Sequence, residues 1–319
     1  MRVLITGYSG FAGGHLADHV LAQTDWEVWG TVFGAPPPTE RSHPRLHVLP
    51  ADLLQPPDLE AVMHASRPQM VFHLAGQSSV RDAWRDPWPT FEINVRMQLQ
   101  LLQAVAGQSE PARMVTVTSN EVYGCGAAAG EALTETAPLA PINPYALSKV
   151  AQDMLAQLYG QAHGTEVVRV RPFTHIGPGQ SDAFVTASFA RQIAQIEAGR
   201  REPVVRVGNL SAERDFSDVR DIVAGYVLAA TRGRDGEVYN LGSGTAVSMR
   251  WVLDWFVDRC RVPVDVVPDP DRMRPVDVPR TLCDASRAHS ELGWEPRHAL
   301  EQTLSDILTY WRARVAAEG

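Results

Sequence analysis

The 319-residue chain has no basic excess. Lysine and arginine number 29 against 37 acidic residues, a formal net charge of -8. Such a balance cannot neutralise a phosphate backbone, which argues against a nucleic-acid partner. Cysteine is scarce too. Cys125, Cys260 and Cys283 show no C-x-x-C spacing and cannot all pair, so neither a disulfide framework nor a metal site is expected, only incidental thiols in a reducing cytoplasm. No apolar run approaches the roughly 20 residues of a membrane span, and no membrane partner is expected. The chain opens directly on a core strand, which leaves no place for a signal peptide, and a cytoplasmic location is expected. What is present is ordinary globular composition: 45% hydrophobic residues and length for one large α/β domain or a large and a small one.

Residues 1–14 organise the rest. Val3-Leu4-Ile5-Thr6 reads as a short buried strand, and Gly7, Gly10 and Gly13 follow it. The apolar pattern then turns helical at Phe11, Leu16, Val20 and Leu21. Gly7 lets the chain turn off the strand, Gly10 leaves room for a pyrophosphate, and Gly13 lets the helix sit close to the sheet. The helix start offers free N–H groups and the positive end of its dipole. Dinucleotide binding is therefore expected, against the alternative of a purely structural corner. The second strand, 26–32, ends in Thr31-Val32-Phe33-Gly34 without the carboxylate that would hold a ribose 2′-hydroxyl. The nearest arginine is Arg41, beyond a proline-rich loop. NADP(H) is the expected cofactor, with NAD(H) as the alternative.

Further strands are read at 46–49, 70–76, 113–119 and 166–171, with an amphipathic helix over 91–105. The strand at 113–119 is rich in β-branched residues. It ends in Ser119-Asn120-Glu121-Val122-Tyr123-Gly124, a polar cluster where open α/β sheets bind ligands. Pro144 suits the first turn of a helix, on which Tyr145 and Lys149, four apart, share a face. A phenol of pKa about 10 exchanges protons poorly at neutral pH, and a nearby ammonium lowers that value. Tyr145 is then a candidate general acid or base and Ser119 a donor to the substrate oxygen that changes charge. The alternative is that both merely cap and pack. His73 and His175, among apolar neighbours, are expected to be structural.

These parts together resemble the extended short-chain dehydrogenase/reductase family, whose TGxxGFxG fingerprint appears as Thr6-Gly7-Tyr8-Ser9-Gly10-Phe11-Ala12-Gly13. The resemblance implies a Rossmann-type doubly wound parallel sheet with a smaller α/β substrate domain. It implies residues 1–171 mainly for the cofactor and 172–319 mainly for the substrate, with segments near 215–245 returning to the first domain. Gly7, Gly10, Phe11 and Gly13 would line the cofactor phosphates. Asp52 and Leu53 would meet the adenine, although Asp52 could equally cap the helix from Pro56. Leu74 and Ala75 would let the nicotinamide half pass, Lys149 would also hold its ribose, and Asn94 would order the backbone of the site.

The likeness is densest from Arg171 to Asp221 and points to the members that process GDP-mannose. Thr174 stands where the family's RxFNxxGPGQ segment has asparagine. Gln77, Thr174, Val185, Asn209, Arg214, Arg274 and Asp277 are the implied substrate contacts. Arg214 would take a phosphate with its planar guanidinium, or form a salt bridge with Asp218 at helical spacing. Arg274 would contact the diphosphate, and Asp277, one methylene shorter than the usual glutamate, the ribose. Glu121 resembles the base of the 4,6-dehydratases, while Asn120 replaces an aspartic acid donor found in some of them. The implied activity is reduction of the C4 ketone of GDP-4-keto-6-deoxy-D-mannose to GDP-D-rhamnose. The alternatives are 4,6-dehydration of GDP-mannose with tightly held NADP, and epimerisation. A homodimer through helices near 94–105 and 145–159 is implied, though their apolar residues could equally be core.

Overall fold

A computed structural model describes residues 1–34, 42–126, 130–273 and 276–318. Arg41 and Arg274 lie outside the described residues. The first half runs β1 (Arg2–Thr6), α1 (Phe11–Gln23), β2 (Glu27–Val32), β3 (Leu46–Pro50), α2 (Pro56–Ser66), β4 (Met70–His73), α3 (Val80–Arg85) and α4 (Pro87–Phe91). A π-helical turn (Glu92–Arg96) leads to α5 (Met97–Ala106), β5 (Arg113–Val117), a 3-10 turn (Asn120–Tyr123) and α6 (Pro144–His163). The second half runs β6 (Val167–Pro172), β7 (Thr174–Ile176), α7 (Val185–Glu197), β8 (Val204–Val207), β9 (Glu213–Asp218) and α8 (Val219–Arg232). It finishes with β10 (Val238–Leu241), β11 (Ala246–Ser248), α9 (Met249–Val257), β12 (Asp265–Pro268) and α10 (Leu300–Ala317).

Seven parallel strands form one sheet in the order β10-β6-β5-β4-β1-β2-β3. Alternate residues of a strand face opposite sides, and β1 shows it. Val3 and Ile5 join a core with Leu16, Val20, Val223 and Tyr226 of α1 and α8. Leu4 joins the opposite core with Leu59, Leu101 and Ala156 of α2, α5 and α6. The sheet is covered on both faces, as a parallel sheet must be. Its order reverses between β1 and β4, and the crevice outside the carboxyl ends of those strands is where such sheets take ligands.

After β6 the chain leaves the sheet. β7, β9 and β11 make a three-stranded sheet, and β8 pairs with β12. A separate core of Phe189, Ile193, Phe256, Ile307 and Trp311 holds α7, α9 and α10 together. Between these excursions α8 and β10 return to the large sheet. Trp294, in the closing turn, packs against α8, its Nε1 donating to Asp221 O at 2.8 Å.

The helix expected over 91–105 is unbroken but not α-helical throughout. Glu92–Arg96 form a π-helical turn that buries Asn94 completely. The reason is local: such a turn re-aims one side chain, and Asn94 is used by the neighbouring loop.

Candidate active site

The turn after β1 is tight for a physical reason. Gly7 has φ +73°, and a Cβ there would lie 2.8 Å from the Ala75 backbone at the exit of β4. A Cβ on Gly13 would lie 2.2 Å from Gly7 O, so α1 abuts its own turn. Gly10 is the N-cap of α1, without a side-chain cap or an acid in the first turn. The first N–H groups of α1 have no carbonyl of their own helix to bond. A glycine cradle beneath uncapped amides fits a dinucleotide diphosphate. Phe11 stacks on His175, with centroids 6.1 Å apart and planes 4° apart, and meets His15 edge-on. His15 Nε2 bonds Pro178 O at 2.9 Å. The segment after β7 is thus pinned onto the glycine turn.

At the exit of β4, Thr6 Oγ1 bonds His73 Nδ1 at 2.8 Å and accepts from Ala75 N at 3.2 Å, while Leu74 N donates to Thr6 O. Burial drives the His73 pKa down to about 3, with Lys149 adding to the effect. The ring is neutral and structural, although its Nε2 has no hydrogen-bond partner among the described residues. Asn94 Oδ1 accepts from Gln77 N at 2.8 Å, and its Nδ2 donates to Gln77 O and to Ser148 Oγ. One amide thereby ties the loop after β4 to α6. Asp52 does not cap α2, whose N-cap is Gln55. Its Oδ1 instead accepts from Leu54 N, two residues on, and its own N donates to Asp58. Leu53 is buried in the core beside α2.

Beyond β5 the structure brings Ser119, Glu121, Tyr145 and Lys149 together. Ser119 sits beside the Tyr145 phenol, where it works against the rise in its pKa, and its Oγ accepts from Glu121 N at 3.2 Å. Asn143 caps α6 through Ala146 N at 2.7 Å, and its Nδ2 donates to Glu121 Oε2 at 3.1 Å. Lys149 Nζ donates to Val117 O at 3.2 Å and lies 5.9 Å from the Tyr145 ring centroid. Burial lowers the Lys149 pKa to about 8. The expected lowering of the tyrosine is absent. Its pKa is raised, first by burial and then by Glu121, with only Ser119 opposing. The ammonium stands off the ring and spends a hydrogen bond on a carbonyl, so it does not offset the loss of water around the phenol.

Two features escaped the sequence reading. Lys149 is the only lysine in the chain; every other basic residue is arginine. An ammonium and a guanidinium are not interchangeable, so the exception singles the position out. The second is a buried ion-pair network. Asp153, two turns beyond Tyr145 on the same face of α6, takes three bonds of 2.8–2.9 Å from Arg169 and Arg171 of β6. Arg171 also donates to Tyr123 OH, which donates to Asn240 Oδ1 at 2.6 Å. The network joins α6 to the turn that carries Glu121.

On the substrate side, Arg214 lies in strand β9, not in a helix, and four residues of strand span roughly 13 Å. The helical pairing with Asp218 therefore fails. Arg214 donates to Asp277 Oδ1 at 2.6 Å and to Val278 O, while Asn209 Nδ2 donates to Asp277 Oδ2 at 3.0 Å. Asp218 instead caps α8 and pairs with Arg220. Arg214, Asp277, Asn120, Glu121 and Asn143 line one pocket. Thr174 sits half-buried on β7, and Val185 is an exposed first residue of α7.

A doubly wound sheet with a glycine cradle at its switch point and a Ser–Tyr–Lys cluster beside it defines a dinucleotide-dependent enzyme of the short-chain dehydrogenase/reductase type. Within that class the chain belongs to the GDP-mannose 4,6-dehydratase family, whose pattern matches residues 4–307. It is 37% identical over 318 residues to the GDP-6-deoxy-D-mannose reductase of Pseudomonas aeruginosa, covering 99% of each chain. The solved structure of RMD from Pseudomonas aeruginosa complexed with NADPH is similar with a TM-score of 0.86, at 35% identity, over 98% of this chain and 100% of that one. The Thermus thermophilus UDP-glucose 4-epimerase complex with NAD is similar with a TM-score of 0.87, at 28% identity, over 98% and 99%.

Proposed function

We propose that the protein reduces the C4 ketone of GDP-4-keto-6-deoxy-D-mannose to GDP-D-rhamnose, with NADP(H) as its usual cofactor and NAD(H) as the alternative. The observation that carries this is the convergence of Ser119, Tyr145 and Lys149 at the open end of β5, with Tyr145 and Lys149 on one face of α6. When bound, the reduced nicotinamide supplies the hydride. Ser119 and Tyr145 both donate to the ketone oxygen, and Tyr145 gives its proton as that oxygen gains charge. A phenol held protonated by burial suits the reductive direction, in which it is the acid. Lys149 then faces the phenolate left behind and holds the nicotinamide ribose.

Gly7, Gly10, Phe11 and Gly13 line the diphosphate, Asp52 and Leu53 the adenine, and Leu74 and Ala75 the nicotinamide. Gln77, Thr174, Val185, Asn209, Arg214 and Asp277 take the GDP-sugar. The cofactor side is mainly residues 1–171 and the substrate side mainly 172–319. Leu147, Met154 and Leu158 leave an exposed apolar stripe on α6, with Trp84 and Trp88 exposed on α3 and α4. A homodimer covers that stripe. No helix among the described residues is long and apolar enough to cross a membrane, in keeping with a cytoplasmic enzyme.

The test is purified protein mixed with NADPH and the GDP-4-keto sugar. Oxidation of the cofactor with formation of GDP-D-rhamnose is expected, and an unchanged absorbance overturns the proposal. A second reading, dehydration of GDP-mannose with Glu121 as base, draws on Glu121 lining the pocket beside Asn120. Conversion of GDP-mannose to a 4-keto product without added cofactor would favour it.

A further inference from the structure

Lys149 carries the only side-chain amine in the molecule. Arginine stays protonated in proteins and does not react with acyl donors at neutral pH. An amine-directed electrophile therefore meets only two nitrogens, Lys149 Nζ and the α-amine of the half-exposed Met1. Most globular proteins spread such reagents over many surface lysines; this one has no such sink.

The position of Nζ makes the concentration consequential. It bonds the carbonyl of Val117, the last residue of β5, and lies 5.9 Å from the Tyr145 ring centroid. It also lies 3.8 Å from where a Cβ on Gly76 would stand, so the loop after β4 passes directly over it. Burial lowers its pKa to about 8. At pH 8 roughly half of it is then neutral and nucleophilic, when an exposed lysine is below about 1% neutral. The uncapped start of α1, at the neighbouring exit of β1, offers amides to a phosphate.

We propose that Lys149 Nζ is an acylation site for small acyl phosphates, that its acylation abolishes cofactor binding, and that bound dinucleotide shields it. In the step, neutral Nζ attacks the acyl carbonyl carbon and a C–N bond forms. The C–O bond to phosphate breaks, inorganic phosphate leaves with the electron pair, and the spare proton passes to water. The amide formed has no charge and one remaining donor. The shielding rests on the dinucleotide reading of the cleft given above; the reactivity of Nζ does not.

The experiment incubates the full folded chain with acetyl phosphate at pH 8 and locates acetyl groups by mass, with Met1 as internal control. Acetylation at Lys149 is expected, slowed at least tenfold by NADP+ while Met1 acetylation is unchanged. NADPH binding, followed by fluorescence, is expected to fall in proportion to acetylated Lys149 and not to acetylated Met1. Acetyl groups at Met1 with none at Lys149 would overturn the acylation site and leave the cofactor reading standing. Acetylation of Lys149 unaffected by NADP+ would overturn the shielding and count against that reading. Lys149→Arg, which must show acetylation at Met1 alone, confirms the assignment of the mass signal.

Discussion

The rim of the seven-stranded sheet and the pocket around Arg214 hold their polar groups in different ways. At the rim they are buried and spent on one another: Asn94 on Gln77 and Ser148, Asp153 on two arginines, Tyr123 on Asn240. Moving any one of them orphans a buried partner, at roughly 1–3 kcal/mol each and more for a charge. In the second region the pairs are nearer water, as with Arg214 and Asp277, whose side chains are 13% and 20% exposed. A pair that keeps some contact with water loses less when its partner changes than a fully buried one, so a ligand phosphate can take the place of the carboxylate on such an arginine. The contrast suits a division of labour, with bond-making groups held rigid and recognition groups free to exchange partners.

The rigid side should fail hardest when its chemistry is removed. Tyr145→Phe keeps the ring and its packing but loses the proton, so kcat should fall about 10²- to 10⁴-fold with little change in Tm. A fall in Tm matching the lost rate would show that the phenol is structural and would erase the contrast. Asp153→Ala should destabilise the fold by about 3–5 kcal/mol in denaturant unfolding, because Arg169 and Arg171 are left charged and buried. Adding Arg171→Met to Asp153→Leu should recover part of that loss, since fewer charges are then stranded.

What could be read in the chain beforehand divides along the same line. The glycine turn, Tyr145 with Lys149, and the polar end of β5 are local patterns, and local spacing encodes them. The Asp153 network joins residues on α6 and β6 to Asn240 on β10, and nothing in the neighbourhood of any one residue announces it. Arg214 finds its partner 63 positions away, and the helical spacing to Asp218 misled because a strand occupies that stretch. The direction in which the Tyr145 pKa moves was hidden for another reason. Lys149 is adjacent in sequence pattern, but the balance is set by burial and by Glu121, which only the folded site displays. The solitary lysine was visible in composition throughout and required counting rather than pattern matching.

Acid offers a milder way to probe the rigid rim. His73 has a folded pKa of about 3 against 6.5 when unfolded. Below pH 6.5 the unfolded chain binds a proton that the folded one refuses until near pH 3. Its contribution to stability is full above pH 6.5 and is lost as pH falls from 6.5 towards 3. The loss amounts to a few kcal/mol, at roughly 1.4 kcal/mol for each pH step of one across that window. In His73→Gln the slope of unfolding free energy against pH should flatten over the same range. An unchanged slope would mean that the ring is reached by water, contrary to its burial.

The smallest effect is expected where exchange of partners is the point. Arg214→Lys retains the charge but loses the planar fork that bonds Asp277 and the Val278 carbonyl together. An ammonium takes a phosphate as a point charge, without bidentate geometry. KM for the GDP-sugar should rise about tenfold, near 1.4 kcal/mol of binding, with kcat unchanged because Arg214 takes the phosphate end of the substrate and not the ketone oxygen. Stability should fall less than in Asp153→Ala, because the retained ammonium leaves Asp277 a charged partner. If Arg214→Lys instead unfolded the protein as Asp153→Ala does, the two regions would be equally rigid, and the Arg214–Asp277 pair would be part of the scaffold rather than a partner waiting to be exchanged.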